Sequence, residues 1–168
     1  MESRAKLFGH AIHPILIVFP LGLLGTAVIF DIIYLIWDSG LMAAVAFWMM
    51  TVGIIGGLLA APFGLIDWLA IPSATRAKTI GATHGIVNLL VVILFAVSWW
   101  LRHDLPERPE MFASILGFIG LALALVGGWL GGELVERLGV GVDEGANLDA
   151  PNSLTTSTHE MHKNAVRG

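Results

Sequence analysis

The chain has no cysteine, so histidine and carboxylate are the side chains left that can ligate a metal or pass a proton. His10 and His13 stand three apart in GHAIHPILIVFP. Asp67 lies in GLIDW, His84 in ATHGIVNLL and Glu133 in GGELVERLG. Three chemistries suit such a set. Two neutral imidazoles can take both axial positions of a haem iron. Histidines with carboxylates suit a divalent transition metal such as zinc, iron or manganese. The same groups, placed inside a membrane, can relay protons. The lack of cysteine excludes disulfides, thiolate metal sites, iron–sulfur ligation and cysteine nucleophiles.

The elements that must position these residues follow from composition. Of 168 residues 56% are hydrophobic and only 13% charged, about half the charged share of a soluble domain. Mean hydropathy is +0.80, so much of the surface must face lipid. Net charge is −4 with basic residues scattered, which excludes a nucleic-acid footprint. Four runs free of Asp, Glu, Lys and Arg are each long enough to cross ~30 Å of hydrocarbon as a helix. They predict helices near 14–37, 41–65, 82–101 and 111–134. The expected fold is all-α, an integral membrane four-helix bundle over residues 1–138 with a polar, flexible tail over 139–168. The first run is too long for a signal peptide and no A-x-A site follows it. His159 and His162 fall in the tail, where histidines are more often solvated than ligating.

Arg4, Lys6, Arg76, Lys78 and Arg137 gather on one side of this topology. Arg102 and Arg108 on the other are diluted by Asp104, Glu107 and Glu110. The positive-inside rule puts both termini in the cytoplasm. Trp37, Trp99 and Trp100 are expected at the far interface, Trp68 and Trp129 at the near one. Gly53 with Gly57, and the stretch GGWLGG, provide small residues for close helix packing.

Depth then brings the candidates together. His10 and His13 open the first helix, Asp67 closes the second, His84 opens the third and Glu133 closes the fourth, so all five come to the cytoplasmic side. His84 precedes Arg102 by ~27 Å of helix. Each hairpin opens with a histidine and closes with a carboxylate, a weak pseudo-repeat that predicts convergence of His13, Asp67, His84 and Glu133. Pro14 suits a first helical turn, and the residue before a proline is extended, so His13 is expected where the helix begins. Pro20 should kink that helix, with Gly22 letting a neighbour close on the kink. Pro62 should break or end the second helix. Asn88, one turn after His84, could orient a ligand. Asp31 reads as an outer-interface residue bonded to Thr51 or a loop amide. The plainer alternative is that His10, Asp67 and Glu133 are ordinary interface residues, although acids at helix C-termini oppose the macrodipole and need a partner.

GHAIHPILIVFPLGL, GLIDW, ATHGIVNLL and GGWLGGELVERLGVGV together resemble the bacterial domain-of-unknown-function family 2231, over about residues 9–142. The resemblance implies a four-helix domain of the bacterial cytoplasmic membrane, sometimes associated with Rieske iron–sulfur proteins, and hence electron transfer. Members often carry a third histidine before the Phe-Pro of the first motif. Here Val18 stands there, leaving His10, His13 and His84 as the imidazole set.

Three functions stay open. The first is a b-type haem held by His13 and His84. Gly22, Gly81 and Gly85 would admit the porphyrin edge, Arg76 and Lys78 would meet its propionates, and a Rieske-type or other membrane redox partner would exchange electrons. The second is a non-haem metal or proton site built from His10, His13, His84, Asp67 and Glu133. The third is a membrane interaction subunit, with homo-oligomers allowed. An electron-transfer or binding subunit is expected rather than a stand-alone enzyme, since no nucleophile–base pair, phosphate loop or nucleotide fingerprint occurs.

Overall fold

The computed structural model describes residues 1–154. A two-stranded antiparallel ladder, β1 (Lys6–Leu7) and β2 (His10–Ala11), leads into a short helix α1 (Ile12–Leu16). Four long helices follow: α2 (Val18–Trp37), α3 (Gly40–Ala70), α4 (Arg76–Arg102) and α5 (Met111–Gly132), the last continued by a π-helical turn over Glu133–Arg137. All four are long and apolar enough to cross a membrane. Their outward faces carry residues such as Leu21, Ile29, Leu58, Leu89 and Leu125, all exposed, which is the surface of a protein that sits in lipid. The chain is an integral membrane four-helix bundle.

The helices pair as two hairpins, α2 against α3 and α4 against α5. Asp38 makes the first tight turn in a left-handed conformation (φ 50°), which aspartate tolerates better than most residues. Thr75 caps α4, its hydroxyl accepting from the Lys78 amide at 3.1 Å. Lys78 reaches back to donate to the Trp68 carbonyl at 2.7 Å and lies over the Trp68 ring, so a cation satisfies the orphaned carbonyls at the end of α3. Between the hairpins lies an apolar core of Leu24, Ala27, Val28, Ala46, Met50, Val91 and Phe95.

Prolines act differently in the two helices of the first hairpin. Pro20 has no N–H for the Leu16 carbonyl, and the helix is interrupted at Ile17, between α1 and α2. The expected kink is there, but Gly22 does not receive it: nothing stands within 4 Å of where its Cβ would be. Gly56 and Gly57 of α3 do, with Phe19 and Pro20 against Gly56 and Pro20 against Gly57. Pro62 neither breaks nor ends its helix. α3 runs through it to Ala70 and carries Asp67, because neighbours in a bundle hold a helix through one missing hydrogen bond.

Residues 139–145 are not a free tail. The Gly141 amide donates to the Met1 carbonyl at 2.9 Å and the Glu144 amide to Glu2 Oε1 at 3.2 Å. His159 and His162 lie outside the described residues. Trp99 is not a belt residue: it stacks on Phe47 and donates to Thr51 Oγ1 at 2.8 Å.

Candidate functional site

His13, in the first turn of α1, and His84, in the second or third turn of α4, come together at one end of the bundle. Their ring centroids stand 6.4 Å apart and their planes cross at 81°. Each ring is held by the backbone of the neighbouring helix of its own hairpin. His13 Nδ1 lies 3.0 Å from the Ala60 carbonyl and His84 Nδ1 3.0 Å from the Gly127 carbonyl. A carbonyl only accepts, so Nδ1 carries a proton in both rings, and in the neutral ring Nε2 is the nitrogen with the lone pair. Glycine makes the approach possible. A Cβ on Gly64 would stand 2.9 Å from His13 Cε1, and one on Gly131 3.2 Å from His84 Cε1. Asn88 donates to the His84 carbonyl at 2.8 Å, and its amide nitrogen lies 3.3 Å from His84 Nε2. Gly127 leaves it room, since a Cβ there would come within 2.7 Å of Asn88 Oδ1.

The other expected members have different partners. Asp67 accepts from Ser3 Oγ at 2.8 Å and from the Arg4 and Ala5 amides at 2.7 and 3.3 Å, so it fastens the N-terminal segment before β1 to α3. Glu133 pairs with Arg76. His10, exposed on β2, meets Ser153 Oγ at 3.2 Å. Among the described residues no group of three or more His, Cys, Asp or Glu is placed to hold a metal ion. The predicted convergence of His10, Asp67 and Glu133 on the two histidines is therefore corrected. Each acid finds a cation or backbone amides nearer to hand, and these satisfy its charge.

The residues expected around a porphyrin divide in the same way. Gly85, like Gly22, opens on free space. Gly81 is filled, its Cβ direction ending 2.7 Å from Trp68 Cδ1. Arg76 holds Glu133 and Lys78 holds the end of α3. The two histidines come together, and the expected propionate partners are engaged elsewhere.

One polar pair went unread. Asp31 is no interface residue: it and Arg102 are both fully buried, joined in a two-pronged ion pair at 2.8 and 3.1 Å. Ser98 completes it, accepting from Arg102 Nη2 at 3.0 Å and donating to the Ala113 carbonyl at 2.7 Å. A charge-free run that ends in Arg looks like a helix reaching headgroups. The signal that could have found the pair is that Asp31 falls six residues short of the end of α2, too deep to be left unpaired.

Residues 9–144 match the family described as "Predicted membrane protein (DUF2231)". The chain belongs to this family. This DUF2231 chain is also 26% identical over 92 residues to a "UPF0060 membrane protein" of Herpetosiphon aurantiacus, covering 55% of this chain and 77% of that one. No solved structure matches it.

Proposed function

We propose that His13 and His84 would hold one b-type haem and that the protein is an electron-transfer subunit. The observation that carries this is the 6.4 Å between ring centroids. Rings this close would bring both histidines within reach of one metal centre, each with its Nδ1 already engaged by a backbone carbonyl. Coordination number favours haem over a bare ion. A divalent transition-metal site usually takes three or four protein donors, and two histidines supply only two. A macrocycle brings its own four, and bound haem would supply a one-electron couple. The protein's part is to hold both rings in the Nδ1–H tautomer through the Ala60 and Gly127 carbonyls, an arrangement that raises ligand basicity. A Rieske-type protein is the proposed partner class, resting on the family association alone.

The histidine end is proposed to face the cytoplasm, with both termini there. Removing buried Arg102 from the loop charges leaves Arg108 alone on the opposite side, against Arg4, Lys6, Arg76, Lys78 and Arg137, a sharper positive-inside bias.

Absorption spectra and metal analysis of detergent-purified protein from haem-supplied cells test the site. The expected result is a Soret band lost in both His13→Ala and His84→Ala. Colourless, iron-free protein would overturn it, and a spectrum unchanged by either substitution would move the ligands elsewhere.

A further inference from the structure

Two polar contacts join the hairpins, and the same length of chain separates both pairs. Asp31 meets Arg102 across 71 positions, and His13 meets His84 across the same 71. The correspondence continues into the second helix of each hairpin. His13 binds the carbonyl of Ala60, 47 residues on, and rests on Gly64 one turn later. His84 binds the carbonyl of Gly127, 43 residues on, and rests on Gly131 one turn later. Between the two ends, Leu24 fills the notch at Gly53 and Phe95 the notch at Gly120. The shift that carries His13 onto His84 also carries Leu24 onto Phe95, and the shift that carries Gly64 onto Gly131 also carries Gly53 onto Gly120. Equivalent contacts recur at separate depths in two hairpins of the same direction, which is the pattern of a parallel repeat about an axis along the bundle.

We infer that the membrane domain is an internal duplication of one helical hairpin about a pseudo-two-fold axis, and that Asp31–Arg102 is the contact that forces the first hairpin to pair with the second rather than with its own kind. The remaining equivalent contacts do not discriminate. A histidine faces a histidine whichever hairpins meet, and Leu24 and Phe95, which seat on Gly53 and Gly120 of their own hairpins, meet the other half only through apolar contact. Only at 31 and 102 do the halves carry opposite charges. Two first hairpins would bury Asp against Asp, and two second hairpins Arg against Arg, in a layer where both side chains are 0% exposed. Like charges in an apolar layer are a repulsive element of the kind that sets specificity. A buried ion pair is a weak source of stability, and its best-attested use is to fix pairing.

Specificity and stability separate in the full-length protein. Two differently tagged copies of the Asp31→Leu/Arg102→Leu variant are co-expressed. The variant is expected to stay as helical and as heat-resistant as wild type, while the tags co-purify several-fold above the wild-type level because hairpins exchange between chains. The charge-inverted Asp31→Arg/Arg102→Asp protein is expected to co-purify as wild type does. Co-purification of the apolar variant at the wild-type level overturns the assignment. Should the apolar variant fail to fold, Asp31→Arg and Arg102→Asp chains decide the matter. Alone, each buries two like charges and is expected to be lost to aggregation. Co-expressed, they restore both pairs by exchanging hairpins and should be recovered as a mixed dimer, and failure to recover it counts against the proposal. None of these readouts depends on haem.

Discussion

An acid near the C-terminal end of a helix opposes the macrodipole, and this chain places Asp67 and Glu133 there. The structure gives each a local reason: backbone amides of the N-terminal segment for Asp67 and Arg76 for Glu133. That some partner was needed was legible in the sequence. Which partner was not, because residues 3–5 reach Asp67 only after the whole first hairpin has folded. The same N-terminal segment carries a second fastening whose pH response has a definite sign. Hydrogen bonding to Lys6 holds Glu2 below its ordinary 4.5, and the Gly145 amide, with Lys6 behind it, holds Asp143 below 3.8. Glu2 in turn raises Lys6 above 10.5. The carboxylates contribute above their ordinary values, and that contribution is lost as pH falls through the lowered ones. The Lys6 contribution is present below its ordinary value and lost as pH rises through the raised one. The clasp should therefore hold from about pH 5 to about pH 10. Amide exchange at Gly141 and Glu144, corrected for intrinsic rate, is expected to stay slow in that window and to speed up in acid. Lys6→Met should speed it at neutral pH. Flat protection from pH 7 to pH 3 would show that the ion pairs do not hold the clasp.

At the scale of elements, the apolar runs made the four spans readable and left their ends unreadable. α3 was expected to stop near 65 and runs to Ala70, and α4 was expected from 82 and begins at Arg76. Charged and capping residues extend both helices past the hydrocarbon, and hydropathy does not see them. Glycine roles were also underdetermined. GGWLGG contains one inward pair, Gly127 and Gly131, against Asn88 and His84, and one outward pair, Gly128 and Gly132, with nothing within 4 Å. Only the packed helices separate the two faces. The contrast gives a test in α3 and α5. A Cβ on Gly56 would lie 2.7 Å from Phe19 Cβ and 3.2 Å from Pro20 Cδ. Neither atom is the free end of a flexible side chain, so helices must shift. Gly56→Ala should cost about 1–3 kcal/mol, read as a lowered Tm in detergent. Gly128→Ala should leave Tm unchanged. Equal Tm values for the two would mean that the bend at Pro20 is not seated on Gly56.

Taken whole, the molecule has two polar ends and an apolar middle. His13 and His84 mark one end and Asp31 with Arg102 the other, separated along α4 by ~27 Å of helix. Between them lie Leu24, Val28, Met50, Val91 and Phe95. No side chain in that core cluster can bind water or pass a proton. Proteoliposomes holding the protein are expected to leak protons no faster than empty vesicles, and a measured conductance above that background would mean the core opens. The proximity of the two histidines was legible from depth, since both lie toward the starting ends of helices that run in the same direction. The opposite pair was not, because Arg102 ends its run like any headgroup anchor and nothing local ties it to Asp31.

That same buried pair constrains how the chain is made. Asp31 enters the bilayer first, and its partner is synthesised 71 residues later. At ~5–20 residues per second the wait is roughly 4–14 s. During it, the first hairpin holds an unmatched acid six residues inside the end of its helix. Until Arg102 arrives, the first half carries a cost of about 2.5–3.5 kcal/mol on the insertion scale, which the second half then removes.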